Sequence, residues 1–279
     1  MAEKKSSLII RSLVAIPLIL LLVMALFFPN WFLRGIIYVV SLFSQYEIIR
    51  AANRKIPHMN HHLPFILTAV VSPIYLFFGW KYVVLTYGIG VFWMITEAIF
   101  NKRRDMNTLM LGIFTLIYPS IFFTAMFGLA MFRDVQLRVL LILIAVVTAV
   151  ATDTFAYFFG TAFGKHKLIP RISPNKSVEG AVAGYIGGYA VLILLGYIYS
   201  SATGFEINPI HFIIMGAVLP AAAEVGDLVA SMVKRYFGIK DFGNMFPGHG
   251  GVLDRFDSSS FICPMIYLYF TLVYGSLII

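Results

Sequence analysis

Arg138-Val-Leu-Leu-Ile-Leu-Ile-Ala-Val-Val-Thr-Ala-Val-Ala-Thr-Asp-Thr-Phe-Ala-Tyr-Phe-Phe-Gly160 holds one base at its start and one acid, Asp153, near its end. About 20 consecutive apolar residues make a helix long enough to cross the hydrocarbon core of a bilayer. This stretch therefore reads as a membrane span, with Asp153 inside it or at its mouth. A carboxylate in that position is costly, so its default reading is a functional or paired residue. Similar runs recur from end to end of the 279-residue chain, which is 60% hydrophobic and only 12% charged. Soluble domains run near 25% charged. The length is therefore counted in spans, and the fold class expected is all-α: a polytopic membrane bundle.

Nine spans can be drawn, at about 12–28, 32–49, 63–79, 82–100, 108–130, 138–160, 180–200, 210–230 and 258–279. The first and third are short and contain Pro17 and Pro73. Lys4, Lys5 and Arg11 precede the first run, but no small-residue cleavage pattern follows Phe28-Pro29, so it reads as an uncleaved helix. With the N-terminus and loops 50–62, 101–107, 161–179 and 231–257 on one side, that side carries 17 of the 21 Lys and Arg. Arg34, Lys81, Arg133 and Arg138 fall on the other. The asymmetry predicts a cytoplasmic N-terminus and a multi-pass protein of the cytoplasmic membrane. It also accounts for the net charge of +8 as topology signals beside anionic lipid rather than as a nucleic-acid surface. Residues 1–107 are expected to form an N-terminal helical region. Residues 108–279 are expected to form a catalytic region built on loops 161–179 and 231–257. The lone Cys263 lies in an apolar run and reads as a buried, inert thiol.

The first half offers little chemistry. Arg50, Arg54 and Lys55, and Lys102, Arg103 and Arg104, are basic clusters at cytoplasmic helix ends that topology explains. Glu47 and Glu97 read as neutralising the nearby Arg50 and Lys102. His58, His61 and His62 share one loop, but no cysteine or carboxylate completes a metal site there.

The second half differs. Loop 164–180 carries Lys165, Lys167, Arg171 and Lys176 among hydroxyl and amide groups. These cations suit phosphates or the positive-inside pattern equally. Ser173-Pro174 disfavours helix at the loop's centre, and Ser177 is a suitable N-cap for the span that follows. On the eighth span Glu224, Asp227, Ser231 and Lys234 or Arg235 recur every three or four residues, which sets them on one stripe. The stripe reads either as an interhelical ion pair with Lys176 or Arg171, or as a carboxylate ligand for a divalent cation.

Beyond it, Ser231 to Asp257 is a dense polar island with Lys234, Arg235, Lys240, Asp241, Asp254, Arg255 and Asp257 as its charges. Asp254 and Asp257 are expected to share a face at the start of the last helix. Magnesium commonly takes one or two carboxylates together with substrate phosphates, and Asp227, Asp254 and Asp257 are the candidate metal ligands. His249 stands in Pro247-Gly-His-Gly-Gly251, where it would orient a phosphate, move a proton or cap a turn. No P-loop, Gly-x-Ser-x-Gly or His-Glu-x-x-His element is present.

Two blocks carry a family resemblance. Ser231-x-x-Lys234-Arg235-x4-Lys240-Asp241-x-Gly243-x-x-Phe246-Pro247-Gly248-His249-Gly250-Gly251-x-x-Asp254-Arg255-x-Asp257 resembles the signature of the phosphatidate cytidylyltransferases, also called CDP-diacylglycerol synthases. Asp153-Thr-Phe-Ala-Tyr-Phe-x-Gly160 and Ile172-Ser-Pro-Asn-Lys-Ser-Val-Glu-Gly180 are similar to a second stretch of that family. The match covers roughly residues 150–260, while the first 150 residues match only in hydropathy and topology. The resemblance implies transfer of CMP from CTP to phosphatidate, giving CDP-diacylglycerol and pyrophosphate. It implies magnesium, with or without a potassium ion, and a homodimer in the membrane lipid.

The catalytic set implied is Asp227, Ser231, Lys234, Arg235, Lys240, His249, Asp254, Arg255 and Asp257. Substrate contacts are expected at Asp153, Lys165, Lys167, Asn175, Lys176, Ser177, Gly250 and Gly251. Another CTP-dependent lipid enzyme, such as a polyprenol kinase or CDP-archaeol-type synthase, is the nearest alternative. An ion-coupled transporter using Asp153, Glu224 and Asp227 is a more distant one, and it leaves the Gly-His-Gly-Gly island unexplained.

Overall fold

The computed structural model describes Met24 and residues 30–56, 62–101, 104–246 and 250–274. The expected span at 12–28 (Met24 apart), His58, His61, Lys102, Arg103 and His249 lie outside the described residues. The chain divides into two compact units, one of Met1–Ala130 with Phe237–Arg255 and one of Met131–Tyr236 with Phe256–Ile279.

In the first unit the described helices are α1 (Asn30–Asn53), α2 (His62–Phe78), α3 (Trp80–Phe100), α4 (Met106–Ile117) and α5 (Ser120–Leu129). The apolar runs expected at 32–49, 63–79 and 82–100 are the first three. The run expected at 108–130 is broken in two. Pro119 forces Tyr118 out of the helical region, to φ −97° and ψ 124°, and α4 stops there. Leu67, Met94 and Leu116 form a buried cluster, flanked by Val91 and Ile113. Among these apolar contacts four hydroxyls satisfy one another. Tyr87 and Ser120 lie 2.7 Å apart, Tyr87 and Thr124 3.1 Å apart, and Thr68 donates to Ser120 at 3.0 Å. Phe92, Trp93, Ile99 and Phe100 on α3 are exposed, a surface suited to lipid rather than water. Asp105 caps α4 by accepting from the Thr108 amide and hydroxyl, which holds its carboxyl below the usual range. Glu97 pairs with Arg104 at 2.7 Å.

The second unit contains α6 (Val135–Phe163), a hairpin of β1 (Lys167–Ile169) and β2 (Ser173–Ser177), α7 (Val178–Thr203), α8 (Pro209–Tyr236) and α9 (Asp257–Tyr274). These helices coincide with the last four expected spans, except that residues 275–279 lie outside the described part. The loop at 161–179 contains an antiparallel pair, with Lys167 opposite Ser177 and Ile169 opposite Ser173. Pro174 is tolerated because β2 has a neighbour on one side only.

Helices α6 and α7 approach closely through a stripe of small residues at four-residue spacing. A Cβ on Gly180 would stand 2.8 Å from the Ala156 carbonyl oxygen, and one on Gly184 2.8 Å from that of Thr152. Close backbone approach through small residues is a common way for membrane helices to associate. Pro220 of α8 packs on Gly188, the next position of the stripe. Cys263 is buried in α9, as expected.

Among the described residues, six helical segments are long and apolar enough to cross a membrane, with α4 and α5 counted together as one. The architecture is that of an all-α, multi-pass membrane protein carrying one small hairpin.

Candidate active site

The second unit forms an open cavity of about 610 Å³. Its walls come from α6 (Asp153, Ala156, Tyr157, Gly160, Thr161), the hairpin (Lys167, Asn175, Lys176, Ser177), the start of α7 (Gly180, Ala181) and α8 (Glu224, Asp227). Local sequence explains how these groups converge. The Ser177 hydroxyl accepts from the Gly180 amide at 3.2 Å and fixes the start of α7. Lys176 sits one residue earlier, at the end of β2. The glycine stripe then draws α7 against α6, so that Asp153 and Lys176 share one cavity.

Lys176 is the electrostatic centre of this cavity. Its Nζ lies 2.7 Å from Asp227 Oδ2 and 3.1 Å from Glu224 Oε2. Burial alone would lower its pKa, but Asp227 and Glu224 outweigh that and hold it above the ordinary lysine value. Of the two ion pairs that the stripe allows, Lys176 makes the contact. Arg171 is exposed, and its neighbour Ile172 offers a carbonyl to Arg235 Nε at 3.4 Å. Glu224 Oε1 is buried and, among the described residues, has no hydrogen-bond partner. On α6, Asp153 accepts from the Ser258 hydroxyl at 3.1 and 3.3 Å. Asp257 begins α9, accepts from the Ser258 amide at 2.9 Å, and lies 4.0 Å from Lys234 Nζ. Ser231 is half-buried on the same face of α8.

Lys240, Gly250, Gly251, Asp254 and Arg255 belong to the first unit. Asp254 lies in a 3-10 turn, Leu253–Arg255, ahead of α9 and not on the helix itself, so it does not share a helical face with Asp257. Its Oδ2 accepts from the Phe242 amide at 2.8 Å and the Gly251 amide at 2.9 Å. Gly250, at φ +82°, bridges to Phe246 through the Phe246 amide and its own carbonyl. Lys240 and Arg255 are exposed. Lys165 is exposed as well, and its amide donates to Glu179 at 3.1 Å.

Glu47 does not act simply as the neutraliser of Arg50. Its two oxygens accept from the amides of Val252 and Leu253 at 2.9 and 2.8 Å. Sequence reasoning also passed over Tyr157 and Thr161, which carried no charge to mark them. It left Glu224 out of the site although it stands three residues before Asp227 on the same stripe. The Gly180, Gly184, Gly188 spacing is the sequence signal for the packing of α7 on α6.

Among the described residues, no three His, Cys, Asp or Glu side chains form a ready-made metal cage. Magnesium does not require one, since phosphates and water commonly complete its shell. Glu224 and Asp227, both on the cavity wall, are carboxylates that could take part in such a shell.

The sequence profile of the cytidylyltransferase family matches residues 9–273. The phosphatidate cytidylyltransferase of Bacillus subtilis (strain 168) is 44% identical over 117 residues, 42% of this chain and 42% of that protein. That of Staphylococcus haemolyticus (strain JCSC1435) is 44% identical over 125 residues, 45% and 46% of the two chains. That of Staphylococcus aureus (strain COL) is 44% identical over 115 residues, 41% and 43%. The aligned stretch thus spans less than half the length of these relatives. With its polar cavity set among membrane-length helices and the family profile running almost from end to end, the chain belongs to the cytidylyltransferase family.

Proposed function

We propose that the protein transfers CMP from CTP to phosphatidate, releasing pyrophosphate and forming CDP-diacylglycerol. The observation that carries this reading is the cavity in which Lys176 stands between Glu224 and Asp227, with Asp153 on the facing helix. A phosphate oxygen of phosphatidate attacks the α-phosphorus of CTP. The bond from that phosphorus to the bridging oxygen breaks, and pyrophosphate leaves with the electron pair. No side-chain nucleophile is needed, so the protein contributes positioning and charge neutralisation.

In this reading Lys176, Lys234, Arg235, Lys240 and Arg255 face phosphates, and Ser231, His249 and the Gly250-Gly251 backbone line their path. Asp227, with Asp254 and Asp257, would hold magnesium, with or without potassium beside it. When bound, the metal would neutralise charge on the transferring phosphate. Asn175, Ser177, Lys165 and Lys167 belong to the substrate side of the same region. The chain would cross the cytoplasmic membrane nine times from a cytoplasmic N-terminus, work as a homodimer, and draw its lipid substrate from the inner leaflet. The basic residues of its loops support this topology.

The test is direct. Purified protein is incubated with labelled CTP, phosphatidate and magnesium, and CDP-diacylglycerol and pyrophosphate should appear in equal amounts. Turnover of a polyprenol in place of phosphatidate, or no lipid product at all, would overturn the reading.

A further inference from the structure

We infer that Glu47, in the N-terminal half of the chain, is a positioning residue for the reaction, acting through the backbone of the Gly251–Arg255 turn. The inference rests on the proposed transfer reaction and adds to it a residue outside the signature that carries the resemblance.

Glu47 lies near the end of α1 and is only 6% exposed. Carboxylates are rarely buried to that extent unless their oxygens are matched by donors. Here each oxygen takes one amide, Oε1 that of Val252 and Oε2 that of Leu253. Two successive amides aimed at one carboxylate make a small anion-binding nest, and the anion that fills it is supplied from about 200 positions earlier in the chain. The glycines around it fit the same purpose. A Cβ on Gly243 or Gly251 would overlap Glu47 Oε1, so both positions must remain bare for the carboxylate to reach the amides.

Asp254 grips the other side of the turn through the amides of Phe242 and Gly251. Two buried carboxylates therefore define one turn, and Arg255 projects from it into the open. The amides that Glu47 holds immediately precede Asp254 and Arg255. Releasing them frees the path of both side chains while leaving their chemistry intact.

The test compares wild type, Glu47→Gln, Glu47→Asp and the exposed control Tyr46→Ala in lipid nanodiscs. CDP-diacylglycerol formation, melting temperature and amide hydrogen exchange of the 250–255 segment are measured together. Glu47→Gln presents an amide N–H to one of the two backbone N–H groups. It should lower kcat at least tenfold with KM for CTP changed by less than threefold, and should speed exchange at Val252 and Leu253. Glu47→Asp should recover part of kcat. If Glu47→Gln lowers the melting temperature but leaves kcat intact in the folded fraction, the residue is merely structural and the inference fails. If wild type itself forms no CDP-diacylglycerol, the proposed function fails instead, and hydrogen exchange alone then reports whether Glu47 holds the turn.

Discussion

The two units use buried and half-buried carboxylates in opposite ways. In the first, Glu47 and Asp254 spend their hydrogen bonds on backbone amides and shape a turn. In the second, Glu224 and Asp227 gather around Lys176 beside a cavity, and Glu224 keeps one oxygen without a partner among the described residues. A carboxylate that accepts backbone amides ties the chain in place, Glu47 through both oxygens and Asp254 through Oδ2. One that shares a lysine at a cavity wall has acceptor capacity left for a ligand. Residue type alone does not separate the two roles; their partners do.

This contrast can be broken in several ways. The largest effect is expected from Asp227→Asn, which removes a charge from the cavity and leaves the fold alone. Turnover should fall about 10²-fold or more, comparable to losing a key electrostatic group in other active sites, in protein that remains folded although its ion pair with Lys176 is weakened. Turnover within twofold of wild type would remove Asp227 from the site. Asp254→Asn, in the other unit, should damage activity and stability together. The Phe242 and Gly251 amides then both lose their charged acceptor, for about 1–3 kcal/mol, and chemical denaturation in mixed micelles measures it.

Gly184→Val tests what brings the cavity walls together. The added carbons would strike Glu224 Oε1, the Thr152 carbonyl and Ala156, at about 1–3 kcal/mol for overpacking, so thermal stability should drop while Gly204→Val, at a helix end, stays as a separate reference for backbone strain. A smaller effect concerns pH. Because Lys176 is held above its ordinary value of 10.5, its ion pairs contribute fully below that value. Their contribution is lost only as pH rises through the raised folded value. The melting-temperature difference between wild type and Lys176→Met should thus be flat from neutrality to about pH 10 and shrink above it. A difference already gone by about pH 9 would contradict the pairing. Smallest of all, Ser177→Ala should cost about 1 kcal/mol through loss of the α7 cap.

Much of this molecule was legible beforehand because membrane helices announce themselves by length and apolarity. The spans expected at 32–49 and 138–160 lie within α1 and α6. What escaped was set by partners rather than by periodicity. The break at Tyr118-Pro119 was hidden in a continuous apolar run. The hairpin was hidden because β1 and β2 are too short to show alternation. Glu47 was assigned to Arg50 since a charge three residues away is the partner that sequence displays, whereas Val252 and Leu253 donate through a backbone that has no letter. Asp254 and Asp257 were placed on one helix by their spacing, but the helix starts at Asp257. Lys176, by contrast, was named as a partner of the Glu224–Asp227 stripe, because opposite charges in an apolar chain have few places to go.

The hairpin also sets how this chain can change in length. Side chains alternate across a strand, so one residue added between Lys176 and Ser177 would turn Lys176 to the opposite face while Ser177 still began α7. An addition at the turn between Ile169 and Ser173 would shift neither the lysine nor the cap. Viable insertions should therefore concentrate at that turn, and the Lys176–Ser177 junction should tolerate none.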